Sequence, residues 1–338
     1  MCSTSSYSSR MSVFRLPETV QAAILRNMSA YDIINTSFTS QTSKRIIRSY
    51  RYCISRPSFI IQIAPEMSRE CIQIRNVDTD GTVLGKWIFH RSCKRPYDMD
   101  HIEEEEAVIR YSTPYEGVPT THISSSHPTK TCKALLIHFR SVFRKMEFDV
   151  TFNGVVLTNE YLKEWRYLSL AASKLSFDCC FLERKFNRVF LKFVQPNQEI
   201  SIADGEMDIR LEINAKKFTM NQAEYFNPEK FALYKAPHMD FPMDGISSFD
   251  FFLYIEQWIE GDHPKLKMVT RYGDKQRWRQ FYKKCDKWTG GPRFHESEFG
   301  RFDCSNGYDI KSEDGTLGTF ITDEEEELTR FVVWPKTH

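Results

Sequence analysis

The sequence has almost no charge of one sign to spare: Lys and Arg total 46 against 45 Asp and Glu, a formal net charge of +1 over 338 residues. Such a balance provides no field to gather nucleic acid or an anionic membrane, so neither is expected as a partner. No apolar stretch approaches the ~18 residues of a membrane span, and the serine-rich start, Met1 to Ser12, lacks the apolar core of a signal peptide. A soluble protein of the cytoplasm or nucleus is the expectation. Motifs for chemistry are missing as well. Gly-x-x-x-x-Gly-Lys-Ser/Thr, Gly-x-Gly-x-x-Gly behind a strand, Gly-x-Ser-x-Gly and His-Glu-x-x-His do not occur, which removes the local signatures of nucleotide binding, serine hydrolysis and zincin chemistry. The nine cysteines follow no metal spacing: Cys179-Cys180 has no spaced partner pair, and Cys71 and Cys93 with His90 and His101 match no zinc pattern. Buried thiols in a reducing compartment are the simpler reading. No catalytic residue, metal or cofactor is expected.

What the chain does have is aromatic bulk, 14% of residues and 26 Phe, which implies wide apolar faces that need cover. After residues 1–11, expected to be disordered because a serine-rich segment cannot offset its ordering entropy, the pattern turns helical. Pro17 suits a first helical position, since its missing N–H has no intrahelical partner there. Val20, Ile24 and Met28 fall one turn apart, widened by Leu25, and place a helix over about 17–27. Ser29 with Asp32 has the form of a capping box opening a second helix through Ile33, Ile34 and Phe38. Ser40, Thr42 and Ser43 offer caps for a third, carrying Ile46 and Ile47. Three such helices in about forty residues hide too little surface to be comfortably stable alone. They need a neighbour.

From Pro57 the period becomes that of strands, with Ile60, Ile61 and Ile63, then Ile72 and Ile74, then Val83, Leu84, Trp87 and Phe89, and a turn at Asp80-Gly81. Residues 92–130 read mainly as a polar surface excursion with a short strand at Ala107 to Tyr111, and Thr131 to Lys145 reads as a helix before a strand at Phe148 to Phe152. Strand-like runs then begin near Arg166, Arg188, Asp208, Phe231 and Lys265, mostly within the ~20 to 29 residues expected of leucine-rich repeats. Thr219 with Gln222, and Ser247 with Asp250, are read as capping boxes for return helices, the second ending at Gly261. Another helix is expected over Asp274 to Cys285, and strands at Asp309 to Lys311, Thr319 to Thr322 and Phe331 to Trp334.

Phe14-Arg15-Leu16-Pro17, the Val20/Ile24/Leu25/Met28 stripe, Asp32-Ile33-Ile34 and Ser40-x-x-Ser43-Lys44 with Ile46-Ile47 together resemble the F-box. Leu211-x-Ile213, Glu256-Gln257-Trp258-Ile259-Glu260-Gly261, Tyr308-Asp309-Ile310-Lys311 with Asp314-Gly315, and Phe331-Val332-Val333-Trp334 resemble, patchily, the F-box-associated type 2 region. The expected fold is α+β: an F-box of three helices over 12–55, then a substrate-binding domain over 56–338. That domain would hold a mixed sheet, loop and helix over 56–145, leucine-rich-repeat-like strand and helix units over 146–290 and closing strands over 291–338. The resemblance implies a non-catalytic substrate adaptor of an SCF-type ubiquitin ligase, docking on a Skp-type adaptor and through it on a cullin scaffold. The docking residues would be Leu16, Pro17, Val20, Ile24, Leu25, Met28, Ile33, Ile34, Ser43 and Ile46. Lys192, Arg210, Glu212, Tyr234 and Lys267, alternating with apolar residues on the repeat strands, would face an unknown target protein. The alternative is a repeat-type protein-interaction module outside ubiquitination.

Overall fold

A computed structural model describes residues 16–66, 69–91, 100–101, 108–111, 117–125, 127–203, 214–220, 236–241, 248–272, 282–323 and 328–336. The chain divides into two compact units, Met1–Phe148 and Asp149–His338. The boundary expected near residue 55 falls inside the first. The expectation for residues 1–11 lies outside the described residues.

The first unit opens with α1 (Glu18–Asn27), α2 (Ala30–Phe38) and α3 (Gln41–Ser49). Pro17 is not the first helical residue but the extended cap before it, at φ −54 and ψ 147. Ser29 Oγ accepts the amide of Asp32 at 3.1 Å and donates to its carboxylate at 2.7 Å, while Ser40 Oγ accepts the amide of Ser43 at 2.9 Å. Local caps thus start both later helices where the sequence indicates. Next come β1 (Ser58–Glu66), β2 (Arg69–Val77), β3 (Val83–Arg91), β4 (Asp100–His101), β5 (Val108–Tyr111), β6 (Thr120–Ser125) and α4 (Pro128–Val142). Within this unit the strands run in the order β1-β2-β3-β6-β5-β4, and only the β3–β6 pair is parallel. The β2–β3 reversal uses Gly81 at φ +85, where a residue without Cβ is unstrained.

β6 corrects the reading of 92–130 as mainly a surface excursion. Its Thr121 and Ile123 are buried beside Trp87 and Phe89 of β3. A parallel partner is distant in sequence, and the flanking Pro114 and Pro119 masked the short alternation.

One face of this sheet, Phe59, Ile61, Ile63, Ile72, Ile74, Trp87, Phe89 and Ile123, is buried at every second position, as a half-covered sheet requires. Helix α4 covers it, with the Phe139 ring 4.9 Å from Phe59 and 5.0 Å from Trp87. Helix α2 covers the rest. Tyr31 sits 4.8 Å from the Trp87 ring, its hydroxyl is 2.7 Å from Thr121 Oγ1, and its amide donates to Asn76 Oδ1 at 3.3 Å.

The second unit takes all but the first two residues of β7 (Glu147–Asn153), then α5 (Asn159–Ser169), β8 (Lys174–Asp178), α6 (Asn187–Phe193), β9 (Glu199–Ala203), β10 (Lys217–Met220), β11 (His238–Phe241), α7 (Ser248–Ile259) and β12 (Met268–Tyr272). It continues with β13 (Asp286–Lys287), β14 (Phe294–Ser297), β15 (Gly300–Asp303), β16 (Tyr308–Lys311), β17 (Leu317–Asp323) and β18 (Leu328–Val333). Strands β7 to β12 lie side by side in chain order, all parallel. Antiparallel β18, β17, β16 and β13 extend the sheet, and β14–β15 is a separate hairpin. Phe152, Phe177, Ile200, Phe218 and Met239 face the helices and are buried, with Phe177 5.1 Å from Phe190 of α6.

Two expected strands are helices here. The run at Arg166 ends α5, whose Leu162, Trp165 and Leu168 are buried, and the run at Arg188 is α6, with Phe190 and Phe193 buried. Apolar runs of five or six residues do not separate the two periods; the Thr158 cap, accepting from the Tyr161 amide at 3.2 Å, decides the first. Thr219 and Met220, read as a helix start, belong to β10. Tyr282–Lys284 forms a single 3-10 turn, not a helix through Cys285. The runs at Asp208 and Phe231 lie outside the described residues, as does the rest of the helix expected over Asp274 to Cys285. Helix α7, the Gly261 stop at φ +94 and the C-terminal strands match the reading. The parallel strands start at 147, 174, 199, 217, 238 and 268. Intervals that uneven do not by themselves make a leucine-rich repeat.

A Cβ built on Gly85 would overlap Cβ, Cγ and Cδ2 of Tyr31. Gly85→Ala should therefore destabilise the protein by about 1–3 kcal/mol, read by urea titration, and should add little once Tyr31 is alanine. An unchanged midpoint for Gly85→Ala would contradict this packing.

Candidate functional site

The N-terminal helices have two faces with different fates. Leu25, Ile33, Ile34 and Ile47 are buried, as are Tyr31 and Ser43. Ser43 closes the start of α3, its hydroxyl 2.8 Å from Ser40 Oγ and 3.0 Å from Thr39 Oγ1. On the other side Pro17 is exposed, Val20 is 40% exposed, and Leu16, Ile24, Met28 and Ile46 are half-buried. Val20 and Ile24 lie one turn apart on α1, so an apolar stripe remains on the side the protein's own core does not take. Residues 13–55 match the F-box domain. Neither a curated protein nor a solved structure matches the chain. An F-box suggests an adaptor role of the SCF type, and F-boxes generally bind Skp-type adaptors.

Of the ten F-box residues singled out in the sequence, Leu25, Ile33, Ile34 and Ser43 are thus used inside the first unit. The remaining six reach its surface. The contacts that seat the F-box were not foreseen. Arg48 Nε donates to the Ser141 carbonyl at 2.9 Å, and the Phe38 ring stacks on His138 of α4 at 4.3 Å. Ser37 Oγ donates its single proton to the Ile34 carbonyl at 2.6 Å. His138 Nε2, 2.7 Å from Ser37 Oγ, must then be the donor of that bond. Burial, followed by the nearby charges of Lys44 and Arg48, pushes the His138 pKa down to about 4, so the ring is neutral at pH 7. No local sequence signal could have linked residues 101 positions apart.

The residues expected to face a target fare differently. Lys192 is exposed on α6 and not on a strand. Lys267 is exposed immediately before β12 and pairs with Glu298 at 2.9 Å. Arg210, Glu212 and Tyr234 lie outside the described residues. The polar face of the parallel strands is instead built from two rows that the displaced strand reading missed. Asp149, Lys174, Glu199, Lys217 and His238 stand in register across β7 to β11, followed by Thr151, Ser176, Ser201, Thr219 and Asp240. The first four residues of the first row, Asp149, Lys174, Glu199 and Lys217, alternate in charge, which favours neighbouring strands. Burial alone would raise the Asp240 pKa, but His238, 2.7 Å away, and Lys217 outweigh it and hold the carboxyl down at about 2.

The His138 contact sets a pH dependence. Because its folded pKa is depressed, the unfolded chain takes up the proton first; the contribution is complete above the unfolded value of 6.5 and is lost as pH falls towards about 4. Urea titrations across that window should give a steeper loss of stability for the wild type than for His138→Gln. Equal slopes would contradict the buried neutral imidazole.

Proposed function

We propose that the chain is a substrate-recognition adaptor of an SCF-type ubiquitin ligase. The F-box docks on a Skp-type adaptor through the stripe of Leu16, Pro17, Val20, Ile24, Met28 and Ile46, and a cullin scaffold is reached through that adaptor. The second unit holds a target protein, consistent with the patchy resemblance of its sequence to the F-box-associated type 2 region. Its strand-and-helix succession supports a leucine-rich-repeat-like use of the polar strand face. Proximity is the chain's contribution, with the chemistry done by other subunits, in the cytoplasm or nucleus.

The observation that carries this reading is the division of the F-box into a consumed face and a spare one. Val20 is exposed and Ile24 only half-buried on adjacent turns of α1, and a row of apolar side chains left at a surface supports a contact there. Leu25, Ile33, Ile34 and Ser43 act by holding that row in place.

Val20→Ala with Ile24→Ala should weaken binding of a Skp-type adaptor by about 10- to 100-fold, equivalent to ~1.4–2.8 kcal/mol. The urea midpoint should scarcely move. Reversing the exposed Arg45 should have a smaller effect that salt removes. Unchanged adaptor affinity in the folded double variant would favour an interaction module outside ubiquitination.

A further inference from the structure

We infer that the second unit carries a peptide-binding cleft, bounded by the residues after α7, the β14–β15 hairpin and the end of β18, that accepts a bulky apolar side chain next to an acidic residue. The inference rests on the target-holding role proposed above, and names the chemistry of what is held.

The cleft has a volume of about 820 Å³ and is partly open to solvent. That is within the ~300–1,000 Å³ of ligand sites, and the opening lets a chain enter and leave. Its floor and wall are apolar: Trp258, Leu266, Val333 and Trp334. The wall is fixed from behind. Trp334 Nε1 donates to Thr319 Oγ1 at 2.7 Å, and the Arg293 guanidinium lies 5.0 Å from the Trp334 ring. Arg293 is itself clamped by two bonds to the Asp309 carboxylate, at 2.8 and 2.7 Å, and lies 4.2 Å from the Trp288 ring. On the cleft side, His295 meets the Trp334 ring edge-on at 5.1 Å and its Nε2–H donates to the Val333 carbonyl at 3.1 Å. An indole held by this many partners loses little freedom when something packs on it, and an arriving apolar side chain keeps most of its burial gain.

The rim decides the charge of the ligand. Lys267 is paired with Glu298 at 2.9 Å and Lys336 with Asp314 at 2.7 Å. Asp314 also accepts from Ser312 Oγ and the Thr316 amide, so its charge is committed to its own turn. Glu296 leans to Arg301 at 3.6 Å. Lys265 lines the same cleft, is exposed, and has no ion pair among the described residues. The rim therefore offers one uncommitted positive charge beside an apolar floor. A carboxylate flanking the anchor side chain answers it.

The test is selection of a random dodecapeptide phage library on the immobilised full-length protein, followed by fluorescence-polarisation titration of the enriched peptide. The enriched sequences should share an aromatic or large aliphatic residue adjacent to Asp or Glu. Lys265→Glu should weaken the acidic peptide about fivefold and improve its Asp/Glu→Lys counterpart. Trp334→Ala should abolish binding of both. Lys265 is an exposed side chain, so its variant keeps the test decisive if Trp334→Ala unfolds. No enrichment, sequences without an apolar anchor, or affinities indifferent to Lys265→Glu would each overturn the inference. Skp-type adaptor binding measured on the same variants should be unchanged, which separates failure of the cleft from failure of the F-box reading.

Discussion

Tyr31 rests against the backbone of β3 where Gly85 has no side chain, with its ring on Trp87 and its hydroxyl beside Thr121. That contact turns three short helices into part of a larger core. A segment of about forty residues hides too small a share of its surface to be stable alone, and here β3, β6 and α4 supply the missing cover. Ile33 and Ile34, fully buried, are the return on that arrangement. The Ser37–His138 bond and the Arg48–Ser141 bond lock the same interface from the α4 side.

The functional consequence is a division of labour within the F-box. The α2 and α3 interior is spent on the chain's own sheet, whereas α1 buries Gln21 and Leu25, keeps Ile24 half-buried and leaves Val20 exposed. Unit two follows a different logic. Its parallel strands bury one face under α5, α6 and α7 and keep rows of charged and hydroxyl side chains on the other, while the cleft beside β18 adds an apolar recess with a fixed indole wall.

What could be read from the sequence was what is encoded locally. Ser29 and Ser40 cap helices from three residues away, and the alternation of Ile61, Ile63, Ile72 and Ile74 announces a hairpin whichever partner it later finds. The Leu16 to Ile46 stripe was legible as apolar, but periodicity cannot tell whether a residue is taken into the chain's own core, as Leu25 and Ile33 are, or left at the surface, as Val20 is. Failures follow the same rule. Arg166 to Leu170 and Arg188 to Phe193 are too short for their period to separate strand from helix, and reading a strand at Arg188 put Lys192 of α6 on the polar face, where Lys174, Ser176, Glu199 and Ser201 stand. Nothing in the local sequence sets Gly85 apart. Its reason is a tyrosine 54 residues earlier in the chain.

Hydrogen exchange on the full-length protein addresses the central claim, that the F-box helices and the first unit's sheet share one core. If they do, the amides of Ile33 and Ile34 in α2 and of Trp87 and Phe89 in β3 will exchange through a common opening, with matching protection that falls together as denaturant is added. Protection in α2 lower by orders of magnitude than in β3, with its own denaturant dependence, would contradict the account and make the F-box an independent module.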